Sequence, residues 1–173
     1  MRSNRSSARS FRLRSSLGWT IGLALAFASQ GCGGCGPIGP FSGGRLSGEG
    51  VAWPTDLSGI AAFEQAQLET NPDDPHSINI WFVTESGDLF LATSLLRGPD
   101  EPEERDWVRN VAADPRVRIR IDGLVYRARL KVLEDGEERA RVFRAYLEKY
   151  PDLDPSREDA ARFFRVVPRG ASS

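Results

Sequence analysis

Arg116 to Leu133 reads RVRIRIDGLVYRARLKVL, and no other stretch of the chain restricts its fold so tightly. Alternation on both sides of Asp122-Gly123 marks two antiparallel strands joined by a two-residue turn. Such a turn sets the register, with Ile121 opposite Leu124, Ile119 opposite Tyr126 and Val117 opposite Ala128 on one apolar face. The other face carries Arg116, Arg118, Arg120, Arg127, Arg129 and Lys131, with Arg118 across from Arg127 and Arg116 from Arg129. Like charges directly opposite repel. The sequence therefore predicts that this face is solvated, is covered by Glu134, Asp135, Glu137 or Glu138, or takes an anion.

Around this hairpin the other elements follow from periodicity. Ser77–Thr84 and Leu89–Thr93 are apolar on both faces and read as a central hairpin turning at Glu85-Ser86-Gly87-Asp88. Ala66–Thr70 is a weaker strand, ended by Asn71-Pro72-Asp73-Asp74-Pro75. Asp100-Glu101-Pro102-Glu103 opens a helix with Trp107, Val108, Val111 and Ala112 on one face, and Pro115 ends it. Glu137–Tyr150 is a second helix with Ala140, Phe143, Leu147 and Tyr150 as its stripe, and Arg162–Val167 is a last strand before Pro168. This order predicts an α+β fold, mostly β, in which a small barrel of about six strands carries two outer helices.

The first segment reads as an address. Met1–Ser16 holds five arginines and no acid, and Leu17–Ser29 is an uncharged apolar run too short to span a bilayer. Ala26-Phe27-Ala28 offers ordinary signal cleavage, whereas Ser29-Gln30-Gly31-Cys32 is similar to a bacterial lipobox, in which Cys32 becomes the lipidated first residue of the mature chain. Nine of the 17 glycines lie between Gly31 and Gly50, so this stretch is expected to be a coreless tether. The predicted organisation is a signal peptide over 1–31, a Gly/Pro-rich linker over 32–52 and one domain over 53–170, exported to the cell envelope.

Composition removes several chemistries. Five of the 23 Lys and Arg fall in the first 14 residues, so the remaining 18 face 24 acids and the body carries about −6, which argues against nucleic-acid binding. Both cysteines precede the domain, which leaves it without a Cys nucleophile, and a single histidine cannot build a metal hydrolase site. That histidine, His76, acts as a base only with an orienting acid, for which Asp73 or Asp74 could serve.

Residues Arg105-Asp106-Trp107-Val108-Arg109-Asn110-Val111-Ala112-Ala113-Asp114-Pro115-Arg116-Val117 carry a resemblance. With Gly123 and the Glu138-Arg139-Ala140 helix start, they resemble the deazaflavin-dependent nitroreductase branch of the pyridoxamine 5'-phosphate oxidase-like split β-barrel superfamily. The resemblance implies a homodimer holding FMN or a deazaflavin at the barrel rim and reducing a substrate by hydride transfer. It implies Thr93, Ser94, Arg97, Arg105, Trp107 and Asn110 as cofactor-binding residues. The branch's basic, phosphate-gripping turn is replaced here by Asn71-Pro72-Asp73-Asp74, which repels phosphate. Two functions stay open: an envelope oxidoreductase of flavin or deazaflavin type, and a non-catalytic envelope lipoprotein that uses the barrel, without cofactor, to bind a ligand or a protein.

Overall fold

The structure, a computed structural model, describes residues 36–93 and 101–170, which belong to a compact unit spanning Cys32–Ser173. Among the described residues there are seven strands: β1 (Glu49–Val51), β2 (Gln65–Thr70), β3 (His76–Glu85), β4 (Asp88–Ala92), β5 (Arg116–Ile121), β6 (Leu124–Val132) and β7 (Phe163–Pro168). Three α-helices accompany them: α1 (Ser58–Ala61), α2 (Asp106–Ala113) and α3 (Glu137–Lys149). Strands β6, β5, β2, β3, β4 and β7 pair in that order, and β7 returns to β6, closing a six-stranded antiparallel barrel. β6 accepts β7 along Ala128–Val132, while parallel β1 takes Leu124–Tyr126.

The β5–β6 hairpin has the register that alternation predicts, from Ile121 opposite Leu124 to Arg116 opposite Arg129. Asp122 and Gly123 both have positive φ, as this tight turn requires. Five of the six expected apolar residues are buried, and Leu124 is half-buried at the mouth. They line the barrel with Leu68, Phe82, Leu89, Leu91, Trp107 and Phe164.

The central β3–β4 hairpin is apolar on both faces because it serves two cores. Phe82, Leu89 and Leu91 point into the barrel, while Val83, Phe90 and Ala92 meet α3 outside it. The stripe on α3 is Val142, Phe143, Tyr146 and then Tyr150, not the expected Ala140, Phe143, Leu147 and Tyr150. Ala140 and Leu147 are only half-buried, and Ala112 on α2 is exposed. The helix is turned by its polar tips. Tyr146 Oη lies 3.1 Å from the Trp81 carbonyl and 3.0 Å from that of Phe90, and Tyr150 Oη lies 2.7 Å from the Phe82 carbonyl. Burial pushes the Tyr150 hydroxyl up to about 12, so it remains a donor throughout the neutral range.

The stretch expected to be a coreless tether is packed from residue 36 onward. It crosses the outer face of the barrel as a strap, strand by strand. Gly43 exchanges two 2.8 Å backbone hydrogen bonds with Ser77 of β3. The Leu46 amide donates to Glu69 of β2 at 2.6 Å, and the Ser47 carbonyl accepts from Arg120 of β5 at 2.8 Å. Gly48 lies against Gly123, and β1 then joins β6. Leu46 is 2% exposed and Pro37 is also buried, while the hydrogen bonds named above run through the strap's backbone.

Candidate functional site

On the outer face of the β5–β6 hairpin, Arg118 lies opposite Arg127 and Arg116 opposite Arg129. The acids that relieve this crowding are Glu69 and Asp114 rather than Glu134, Asp135, Glu137 or Glu138. Two of the expected acids are engaged elsewhere, Asp135 with Arg139 and Glu138 with Arg165. Glu69 sits directly across from Arg118 in the β2–β5 pairing and is 2% exposed beneath the strap. Its Oε2 accepts from Arg118 at 2.9 Å and from the Leu46 amide, and its Oε1 lies 3.8 Å from Arg45.

Asp114 grips Arg116 in a fork. Arg116 Nε donates to both carboxylate oxygens, at 2.9 and 2.7 Å, Nη2 donates to Oδ2, and the Arg116 amide adds a bond of 2.9 Å. These hydrogen bonds hold the Asp114 carboxyl down at about 2. Arg120 is turned away to Ser47. Arg127 and Arg169 form no ion pair with any carboxylate among the described residues, and the Arg169 amide donates to the Arg127 carbonyl at 3.0 Å, which fixes the two side by side.

These side chains surround a cavity of about 410 Å3. Its walls are Arg45 and Gly50 from the strap and β1, Glu69, Thr70 and Pro72 from β2 and the turn after it, Arg116, Val117 and Arg118 from β5, Val125 and Arg127 from β6, and Arg169. Five guanidiniums face one carboxylate across a partly enclosed space, and two of the five have no acidic partner among the described residues. Guanidinium forks of this kind recognise phosphate or carboxylate. Thr70 is 1% exposed at the wall; its hydroxyl donates to the His76 carbonyl at 3.3 Å and accepts from Asn110 Nδ2 at 3.1 Å.

Of the residues that the resemblance implies, Asn110 is thus one hydrogen bond from this cavity. The others described lie elsewhere. Thr93 is 2% exposed and closes the β4–β7 edge, its hydroxyl accepting from the Arg162 amide at 2.8 Å. Trp107 is 5% exposed and packs on Phe164 with centroids 5.1 Å apart. Arg105 precedes α2, where burial and the neighbouring Arg157 lower its pKa. Ser94, Arg97 and Cys32 lie outside the described residues. No hydrogen bond among the described residues links the His76 ring to Asp73 or Asp74. Sequence reasoning missed Arg45, Glu69 and Arg169 as site residues, because all three reach the cavity through pairings between distant segments.

A sequence profile described as "F420H(2)-dependent quinone reductase" matches residues 73–167. Among curated proteins no significant match is found. The fold is similar to that of a conserved hypothetical protein from Mycobacterium tuberculosis, at 20% identity and a TM-score of 0.51 over 64% of this chain and 76% of that one. It is also similar to the heme storage protein HutZ from Vibrio cholerae, at 18% identity and a TM-score of 0.51 over 62% and 83% of the two chains.

Proposed function

The chain belongs to the F420H(2)-dependent quinone reductase family, in the pyridoxamine 5'-phosphate oxidase-like split-barrel superfamily, and from that premise we propose that it is a deazaflavin-dependent reductase. In this reading it is tethered in the cell envelope through a lipidated Cys32, and its arginine cavity receives the anionic part of the cofactor. The observation that carries the reading is the charge of that cavity within a fold of this family: among the described residues Arg127 and Arg169 have no acidic partner, at a wall where Arg45, Arg116 and Arg118 are already held in place.

The donor set fits an anionic cofactor. Glu69 fixes Arg118 and orients Arg45, Asp114 fixes Arg116, and Arg127 and Arg169, without an acidic partner among the described residues, are left to neutralise bound charge. Val125 supplies an apolar part of the wall, and Gly50 lines it without a side chain. When bound, a reduced deazaflavin supplies a hydride. The protein's share is to hold the charged end and orient the ring.

One observation favours the alternative of a non-catalytic scaffold. The turn after β2 brings Asp73 close enough to act on Arg116, so acids stand where the resembling branch places basic phosphate contacts. Titration of residues 32–173 with coenzyme F420, FMN and FAD, followed by cofactor fluorescence, separates the two. Saturable binding of the deazaflavin is expected, weakened about tenfold by either Arg127→Ala or Arg169→Ala, as for loss of one charge-assisted hydrogen bond. If Arg105→Ala weakens binding and the other two do not, the cofactor lies at the end of the barrel near Thr93 and Trp107. No binding by a folded domain leaves the scaffold reading.

A further inference from the structure

Ile38 and Phe41 are each 74% exposed, far above any other large hydrophobic residue described. They are not a frayed end. Ile38 donates to the Phe41 carbonyl at 3.1 Å and Phe41 to the Ile38 carbonyl at 3.0 Å, closing a two-residue turn over Gly39-Pro40. Gly39 supplies the positive φ of 55° that this turn needs. A hydrogen-bonded pair places both side chains on one face of the turn. The barrel pins the turn from behind: Asn79 Nδ2 donates to the Gly39 carbonyl at 2.8 Å, and Gln67 Nε2 donates to that of Pro37 at 3.4 Å. The molecule therefore holds two large apolar side chains out into solvent on a fixed support.

What lies ahead of this tip identifies what covers it. Ile38 follows Cys32 by six residues, which span at most about 20 Å when fully extended. Cys32 itself follows the apolar run Leu17–Ser29 and stands at the lipobox-like position. Between Cys32 and Gly48 the only charged residue is Arg45, so nothing acidic separates the tip from a lipid headgroup layer.

We propose that the Ile38–Phe41 turn is a bilayer-insertion tip, which enters the lipid surface beside the tether and orients the barrel on the membrane. The strap lies outside the segment matched to the family, so the proposal is argued from this chain's own residues. Insertion needs no cofactor.

The test supplies the tether artificially, so that failure of lipidation at Cys32 and failure of the tip are separate results. Residues 32–173 hold the whole barrel and both of its cores and serve as the folded unit. With Cys32→Ser and Cys35→Ser, and a hexahistidine ahead of residue 32, this unit is docked on phosphatidylcholine vesicles bearing a nickel-chelating lipid. A polarity-sensitive dye is attached at Ser42→Cys beside the tip or, in a second sample, at Asp135→Cys, whose native side chain is 99% exposed ahead of α3. On docking, emission from position 42 shifts to the blue and is quenched by spin-labelled acyl chains, whereas position 135 changes in neither respect. Ile38→Asp with Phe41→Asp abolishes the shift without changing the melting temperature, because neither side chain is buried. Unchanged emission from position 42 on docking overturns the proposal, as do equal changes at both positions. A blue shift that grows with protein concentration in the absence of vesicles also overturns it and assigns the tip to a second copy of the chain.

Discussion

Because the Glu69 carboxylate is buried and meets Arg118, the Leu46 amide and Arg45, removing its charge leaves three cationic or donor groups short of their acceptor at one step. Glu69→Gln is expected to destabilise the domain by about 2–3 kcal/mol, below the range for breaking a fully buried pair because Arg118 keeps part of its hydration. A urea titration checks this through the midpoint at constant slope. Asp114 makes a second prediction, in which the sign matters. Its folded pKa, about 2, lies below the unfolded value. Its stabilising contribution is therefore complete above about pH 4 and disappears as pH falls through 2. Carboxyl NMR should show Asp114 titrating near 2, and Asp114→Asn should flatten that part of the stability profile; a midpoint near 4 would mean that the Arg116 fork does not form in solution. Neither acid could be paired with its arginine from sequence. Alternation within Arg116–Leu133 states which arginines crowd one another, but Glu69 reaches Arg118 only through the β2–β5 pairing between residues 49 apart in the chain.

Among the elements, those with strong local periodicity were legible and the strap was not. The β5–β6 hairpin announces itself because side chain and turn agree, and α3 because proline and spacing bound it. Helix α2 ends before Pro115 as expected but begins at Asp106, not at the Asp100-Glu101-Pro102-Glu103 opening, because Pro102–Glu104 forms a separate 3-10 turn and Arg105 is extended. The stripe of α3 is rotated from its expected position because the Tyr146 and Tyr150 hydroxyls seek carbonyls on β3 and β4, which hydropathy cannot register. Glycine and proline hide the strap more thoroughly, since their composition is that of a flexible tether. In the structure those same glycines let the backbone come close enough to bond to the barrel. Gly48 is the clearest case, with φ at 145° and a position where an added Cβ would stand 2.4 Å from the Gly123 carbonyl oxygen. Gly48→Ala is expected to cost more than about 2 kcal/mol and to free β1 from β6. Hydrogen exchange would then rise at Val51 while the β3 and β4 amides stay protected.

At the scale of the whole molecule, the barrel closes because β6 is long enough to serve two partners on one edge, and this closure leaves the antiparallel sheet without a long open edge. The mixed order of strands and helices was sufficient to foresee a small barrel. It could not foresee which distant segments would converge. The strap brings Arg45 to the cavity from one end, and the residue following β7 brings Arg169 to it from the other. A label fused directly after residue 173 would consequently begin close to Arg169 of the cavity wall. An epitope rich in aspartate would act there as a tethered counter-ion, at an effective concentration far above that of any free ligand. Purification handles for this protein therefore belong ahead of residue 32, and a silent binding assay on a C-terminally tagged sample would report the tag.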